Sequence, residues 1–432
     1  MENCHKRGMG MSTVGVDLHN NDCRVAMKQL IESGVQVDSV VTDPPYELGF
    51  MGKSWDSTGI AFQVEVWKLA LQLLKPGGYL LAFSSSRTYH RMAVAIEDSG
   101  FEIRDQIMWV YGSGFPKGLN IGKAVDKIQG NKRESLGMYD PRSSQDGANR
   151  TERPIGNQRH HISNYESSMV ERTKGNSEWE GWGTALKPAH EPIVMARKPI
   201  SEKTIADNVL KYSTGGINID GCRIGYEGGT VGVVLEEDKG NHIYGKMKKT
   251  IADKDISLGR YPANFIHDGS DEVISNFPVV DGSGYNGESK STWANASRFF
   301  YCAKASKKER NMGLSSLEAN QYSYDGRNKP VDNPYQRNES IAKNIHPTVK
   351  PLALMKYLCR LVTPKGGTVL DPFMGSGSTG VSAKDEGFNF IGIELDGDYF
   401  NLSKHRIKKE QVLETEEPQS EIKQLQLKFD WE

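Results

Sequence analysis

The chain has 432 residues, a formal net charge of −1, 37% hydrophobic and 25% charged residues, as expected of a soluble globular protein with two or three domains. No run of eighteen apolar residues occurs, and residues 1–12 carry no apolar leader, which argues against a membrane span and against export. Cys4, Cys23, Cys222, Cys302 and Cys359 are scattered with no C-x-x-C pair, so a reducing, cytoplasmic setting is expected, with no disulfide framework and no metal site.

Residues 14–25 read as a short strand ending in the polar turn Asn20-Asn21-Asp22, followed by a helix over about 24–33 and a strand leading to Asp43. The glycine-bearing stretch after Tyr46 predicts a loop. Apolar spacing at Phe62, Val66, Leu69, Ala70, Leu73 and Leu74 predicts a helix, stopped by Lys75-Pro76-Gly77-Gly78. Tyr79–Phe83 is a continuous apolar run suited to a strand buried on both faces. A helix over about 88–99 and a strand over Gln106–Val110 complete a βα alternation, hence an α/β class with a mostly parallel sheet.

From about 116 to 340 the texture changes to long polar, glycine-rich and asparagine-rich stretches between short apolar islands such as 192–196, 217–220, 261–266 and 298–303. This predicts an inserted recognition region, with 191–198 as a candidate strand of the core sheet. The βα texture returns over 341–411: a helix at about 352–362, a strand at 368–370, a second helix to about 385, a strand at 390–393 and a helix at 398–411. Residues 412–432 form an acidic tail.

Two stretches carry the chemistry. In Val40-Val41-Thr42-Asp43-Pro44-Pro45-Tyr46, an apolar strand breaks at a carboxylate, two prolines and an aromatic ring. Proline has no N–H and fixes φ, so the chain must leave the sheet at Asp43 in a stiff extended turn. In open α/β sheets ligands bind beyond the carboxyl ends of strands. A carboxylate, free carbonyls and a ring at that place suit a flat base with an amino group. The second stretch is Asp371-Pro372-Phe373-Met374-Gly375-Ser376-Gly377-Ser378-Thr379, a strand end, a glycine turn and a helix start, with Glu394 at the end of the next strand. Gly375 and Gly377 let the backbone approach a ligand, Ser376 lies between them, and Glu394 stands where a carboxylate takes ribose hydroxyls. The third glycine of a dinucleotide fingerprint is out of phase and no G-K-[ST] follows. A nucleoside ligand without phosphate fits best, and S-adenosyl-L-methionine is such a ligand.

Together V-T-D-P-P-Y, L-K-P-G-G-Y-L, H-P-T-V-K-P and V-L-D-P-F-M-G-S-G-S-T resemble the amino-group DNA methyltransferases, in the subclass whose catalytic motif precedes the cofactor motif. Residues 182–199 and 298–310 resemble members found in phages and prophages. The resemblance implies a Rossmann-like methyltransferase fold built from both ends of the chain, with the recognition region between. It implies transfer of a methyl group from S-adenosyl-L-methionine to an exocyclic amine of a flipped base in double-stranded DNA, as in restriction-modification. Asp at the head of the P-P-Y motif leans to N6 of adenine, with N4 of cytosine as the alternative and, as a rival of another class, a catalytically silent DNA-binding subunit that keeps the fold. Asp43, Pro44, Pro45 and Tyr46 would be catalytic. Asp371, Pro372, Phe373, Gly375, Ser376, Gly377 and Glu394 would hold the cofactor, joined by Asp22 at the adenine and by Thr348 and Lys350 at the methionine end. A homodimer is a family-level expectation.

Other residues allow two readings. Lys53, Trp55 and Asp56 could belong to a lid over the base or to a surface loop. His346 could face the cofactor or simply begin a helix with Pro347. The pairs Lys248-Lys249 and Lys307-Lys308 could meet phosphates or be a solvated face. Trp179 and Trp182 could touch DNA or pack together, and His160-His161 fits a solvated loop.

Overall fold

The computed structural model describes residues 15–49, 54–112, 114, 118–139, 170–224, 259–270, 273, 279–281, 292–294, 299–314, 320–322 and 340–413. Their strands, in chain order, are β1 (Val16–Asn20), β2 (Val37–Thr42), β3 (Leu74–Phe83), β4 (Glu102–Val110), β5 (Glu134–Tyr139), β6 (Val170–Lys174), β7 (His190–Arg197), β8 (Phe265–His267), β9 (Val279–Asp281), β10 (Thr292–Ala294), β11 (Phe300–Tyr301), β12 (Asn320–Tyr322), β13 (Ser340–Ala342), β14 (Thr368–Asp371) and β15 (Asn389–Glu394).

The apolar runs form the centre of a nine-stranded sheet, in the order β1-β15-β14-β2-β3-β7-β4-β8-β11. Alternate residues face opposite sides. Val41, Leu81, Phe83 and Val369 join one buried cluster, with Met355 and Leu358 from the helix Leu352–Val362. Val40, Leu80, Ala82 and Leu370 join the other, with Met27, Trp67 and Ile96 from the helices Cys23–Glu32, Val64–Leu73 and Tyr89–Asp98. Burial on both faces is the reason these strands read as unbroken apolar runs. Each fully buried aliphatic side chain contributes about 1.5–3 kcal/mol.

Every pairing in this sheet is parallel except those of β7, which runs antiparallel to both β3 and β4. β14 lies beside β2, pairing Val369 with Ser39 and Leu370 with Val40. The two acidic motifs, at the carboxyl ends of these strands, are therefore neighbours in space.

The chain forms two compact units: residues 1–112, 190–318 and 343–432 in one, and 113–189 with 319–342 in the other. The expected single inserted region over 116–340 is thus divided. Its stretch 190–318 belongs with the main sheet because β7, β8 and β11 are hydrogen-bonded strands of it. In the second unit Asn120 caps the helix Ile121–Gln129, accepting from the Lys123 N–H at 2.9 Å. β5 and β6 form an antiparallel pair beside it, and Trp179 meets Trp182 edge to face at 5.2 Å. Arg133 ties the unit together through Asp126, Glu180 and the carbonyl of Thr173.

Two boundaries differ from expectation. β3 begins at Leu74, so Lys75–Gly78 lies inside a strand and not in a turn. Gly77 donates to the Lys198 carbonyl and Lys198 donates to that of Gly78, which extends the ladder toward β7. β4 begins at Glu102 because its polar start is paired with β7, where Arg197 donates to Glu102 at 2.6 Å. Lys53, His160-His161, Lys248-Lys249 and the tail 414–432 lie outside the described residues. No helix among those described is long and apolar enough to cross a membrane.

Candidate active site

Beyond the carboxyl ends of β2, β14 and β15 opens a cavity of about 630 Å³, and Asp43, Pro44, Pro45, Tyr46, Asp22, Thr348, Lys350, Asp371, Pro372, Phe373, Gly375, Ser376 and Glu394 all line it. Thirteen residues expected from separate parts of the chain therefore border one space. Gly377 sits just behind, as the left-handed residue (φ 79°) that caps the helix Ser378–Asp385.

The two motifs are latched to each other. Thr42 Oγ1 donates to Asp371 Oδ1 at 2.6 Å across 329 residues of sequence. The Phe373 N–H shares that oxygen, and Thr379 Oγ1 donates to Oδ2 at 2.6 Å. Asp371 is 1% exposed. Burial pushes its carboxyl up to about 6, against the pull of Thr379 and Thr42. Asp371 thus braces the turn that bears Asp43, with both its oxygens already occupied.

Glu394 braces the glycine turn. Its Oε2 accepts from the Gly375 N–H at 2.7 Å and its Oε1 from the Asp396 N–H at 2.8 Å. Burial raises this carboxyl to about 6, opposed by those two N–H groups. Each oxygen thus accepts one backbone N–H, and a carboxylate oxygen has capacity for a second donor at this cavity wall. Gly375 has φ 52°, and a Cβ there would stand 2.8 Å from His346 Nε2, so only glycine lets the turn close on that ring. His346 faces Tyr399 edge to face at 4.6 Å, with Nδ1 3.1 Å from the Thr348 carbonyl. Burial drops its pKa to about 3, so the ring is neutral, with Nδ1 as the donor. From below, the buried Arg406 donates to the Ser376 carbonyl at 2.7 Å and to its hydroxyl at 3.0 Å.

At the Asp43 end, Lys350 Nζ donates to Asp43 Oδ2 at 2.6 Å and lies 3.3 Å from Glu191 Oε2. The Tyr46 hydroxyl donates to Glu191 Oε2 at 2.8 Å and the Tyr111 hydroxyl to Oε1 at 3.3 Å. Asp43 Oδ1 is buried with no hydrogen-bond partner. Burial raises the Asp43 carboxyl, Lys350 lowers it, and Glu191 raises it again; the net direction is upward. Lys350 is 8% exposed at its side chain. An ammonium that buried needs anionic partners, and the carboxylates supply them.

Two of the expected cofactor contacts, Lys350 and Asp22, line the cavity and already have protein partners. Lys350 reaches Asp43 and Glu191, not the glycine turn. Asp22 caps the helix Cys23–Glu32, accepting from the Arg24 N–H, and both its oxygens are engaged by the Arg24 guanidinium. That pairing holds the Asp22 carboxyl below its usual range. After Tyr46 the chain folds back on itself. Asp56 accepts from the Glu47 and Leu48 N–H groups, and Glu47 adopts φ 57° and accepts from the Gly59 N–H at 2.6 Å. Trp55 lies in the short turn Ser54–Ser57.

Sequence reasoning missed Glu191 and Tyr111. The only local signal for Glu191 was a charge beside the apolar run 193–196, at the start of the strand expected near 191–198.

A mostly parallel sheet thus ends in a latched acidic turn, a glycine turn and a strand-end glutamate around one cavity. The model of the DNA methylase family matches residues 37–405 of the 432, and the chain belongs to that family. Among curated relatives, the type II methyltransferase M.BglI of Bacillus subtilis is 49% identical over 69 residues, which is 16% of this chain and 20% of that protein. The type II methyltransferase M2.DpnII of Streptococcus pneumoniae is 43% identical over 65 residues, 15% of this chain and 24% of that one. The chain thus spans between a fifth and a quarter of the length of these relatives. Among solved structures, the M1.HpyAVI–SAM complex is 16% identical with a TM-score of 0.38, covering 91% of this chain and 98% of that one. PvuII DNA methyltransferase, a cytosine-N4-specific enzyme, is 13% identical with a TM-score of 0.40, covering 93% and 91%.

The family's methyl donor is S-adenosyl-L-methionine, and the residues at the cavity fit it. Glu394 offers lone pairs for ribose hydroxyls. The Gly375 turn leaves no room for a Cβ, and no lysine of a phosphate-binding loop is present in the turn 375–379.

Proposed function

We propose that this protein transfers a methyl group from S-adenosyl-L-methionine to an exocyclic amino group of a base in double-stranded DNA, with N6 of adenine as the acceptor. The observation that carries this reading is the buried, unpartnered Asp43 Oδ1, set beside Tyr46 in the same cavity as the Glu394–Gly375 cradle. An acceptor without a donor in a buried site is costly, by about 1–3 kcal/mol, unless a ligand completes it. An amine is a ligand that does so. The asparate at the head of the motif, where the resemblance favours adenine, supports N6 over N4.

The exocyclic amine is a poor nucleophile because its lone pair is drawn into the ring. Asp43 Oδ1 accepts one N–H and the Pro44 carbonyl the other, which turns the lone pair out of the ring plane and holds it in line. As positive charge develops on the nitrogen, the Asp43 carboxylate stabilises it at close range in a site of low dielectric. The cofactor, when bound, supplies an electrophilic methyl group on a sulfonium. Glu394 and the Gly375 turn orient the nucleoside and methionine ends. The base must leave the duplex to enter, and the Tyr46 ring supports it by stacking, worth about 1–3 kcal/mol.

Incubation with tritiated-methyl cofactor and unmethylated genomic DNA, followed by hydrolysis and nucleoside separation, tests the reading. N6-methyladenine is the expected product. N4-methylcytosine would overturn the choice of base, and no transfer to DNA would overturn the reading itself.

A further inference from the structure

The lysine at the centre of the site lies over the ring on which the base would rest, beside the empty Asp43 oxygen that would take its amine. Lys350 Nζ is a nitrogen donor 2.6 Å from Asp43 Oδ2, lying 5.3 Å from the centre of the Tyr46 ring and 4.9 Å from that of Phe83. A base amine gripped by Asp43 and resting on Tyr46 would meet this ammonium. If Asp43 were its only counter-ion, displacing it would strand a charge in a buried site. A second carboxylate lies within reach. Glu191 enters from β7, the antiparallel strand inserted between β3 and β4, with Oε2 3.3 Å from Nζ. Two tyrosine hydroxyls, Tyr46 and Tyr111, fix its orientation.

We propose that Glu191 is a positioning residue of the methyl-transfer site, the alternative partner onto which Lys350 moves when the base, resting on Tyr46 with its amine on Asp43 Oδ1, displaces the ammonium from its place over that ring beside Asp43 Oδ2. The inference rests on the function proposed above and adds a residue and a movement to it. Before the base enters, Lys350 neutralises Asp43 and lies over the Tyr46 ring. When the amine enters, the ammonium shifts toward Glu191 and no charge is left unpaired. Tyr46 reports the exchange, because its hydroxyl already holds the oxygen that receives the lysine. The other ionisable groups around the cluster are Lys304, whose Nζ lies 3.5 Å from the centre of the Tyr111 ring, together with Asp268, Asp371 and His346. None of these joins the ion pairs that Lys350 makes with Asp43 and Glu191.

The test is epistasis at pH 8, with kcat and KM for unmethylated genomic DNA measured on Glu191→Gln, Lys350→Met and the double variant. Glu191→Gln leaves Lys350 bound to Asp43 alone, so kcat/KM falls by about tenfold or more, chiefly through KM for DNA. Adding Lys350→Met removes the obstructing ammonium, and the double variant recovers most of that loss. A double variant no more active than Glu191→Gln overturns the proposal, since a merely structural Glu191 gives that result. A second measurement does not depend on methyl transfer. Lys350→Met leaves Asp43 and Glu191 facing each other without a cation, so its thermal midpoint falls as pH rises from 5 to 8, and adding Glu191→Gln restores part of the midpoint at pH 8. Absence of that restoration also overturns the shared lysine. A wild type that transfers nothing to DNA refutes the function, while the midpoints still decide whether the lysine is shared.

Discussion

Asp43 and Glu394 are both carboxylates at strand ends, and burial pushes both upward, yet their partners differ. Asp43 is held by an ammonium and keeps one empty oxygen. Glu394 is held by two backbone N–H groups and keeps lone pairs on both oxygens. Burial raises the Glu394 carboxyl to about 6, so in the proposed role, with the ribose hydroxyls donating to it, a proton there would compete with them for the same lone pairs. Cofactor affinity therefore weakens as pH falls below about 6, by up to about tenfold per unit, and levels off above it. Calorimetric titration of the cofactor between pH 5 and 8 reads this directly, and Glu394→Gln should flatten the profile at low affinity. For stability the sign is opposite. A carboxyl whose folded pKa is raised contributes stability below its unfolded value, and that contribution is lost as pH rises toward 6. Asp371 and Glu394 both follow this rule.

Adjacent strands bring the site together. β2 and β14 pair in parallel, and the Thr42–Asp371 hydrogen bond locks their ends. Replacing Thr42 with valine keeps the shape and removes the donor, leaving Asp371 Oδ1 with the Phe373 N–H alone; a loss of about 1–3 kcal/mol follows, read as a lowered thermal midpoint. Gly377→Ala acts on the glycine turn. At φ 79°, with a new Cβ 2.9 Å from that of Ser403, the turn must shift, and cofactor affinity should fall with stability. The Asp43 turn and the glycine turn were legible in the sequence because each is contiguous and its residue types carry the conformation: prolines force an exit from the sheet, and glycines permit a left-handed turn. Glu191 was not legible as a site residue. It meets Tyr46 across 145 residues, through the antiparallel pairing of β7, and no local pattern encodes which strand becomes its neighbour. Lys350 was legible as a site residue but its direction was not, because that depends on Glu191. Asp22 was legible as an acid at a strand end, while its engagement by Arg24 was not.

At the level of the molecule, the parts of the site come from both ends of the chain and from its middle, yet all lie within the first unit. The second unit has its own polar centre at Arg133, which holds Asp126 and Glu180. Arg133→Ala leaves both carboxylates without their guanidinium, so limited proteolysis should cut within 118–139 or 170–189 faster than in the wild type, while cofactor affinity stays unchanged. Loss of cofactor binding in that variant would contradict the assignment of the whole site to the first unit. The division also explains why the middle of the chain resisted a single description. Short islands such as 192–196 belong to the main sheet, while the antiparallel pair of β5 and β6 belongs to the second unit.

The most direct measurement is transfer of a tritiated methyl group to unmethylated genomic DNA by the wild type and by Asp43→Ala, with cofactor binding determined on the same preparations. If Asp43 grips the amine, the variant binds the cofactor with nearly wild-type affinity and its transfer rate falls by roughly a hundredfold to a thousandfold. An Asp43→Ala protein that still methylates DNA at a wild-type rate would contradict the account.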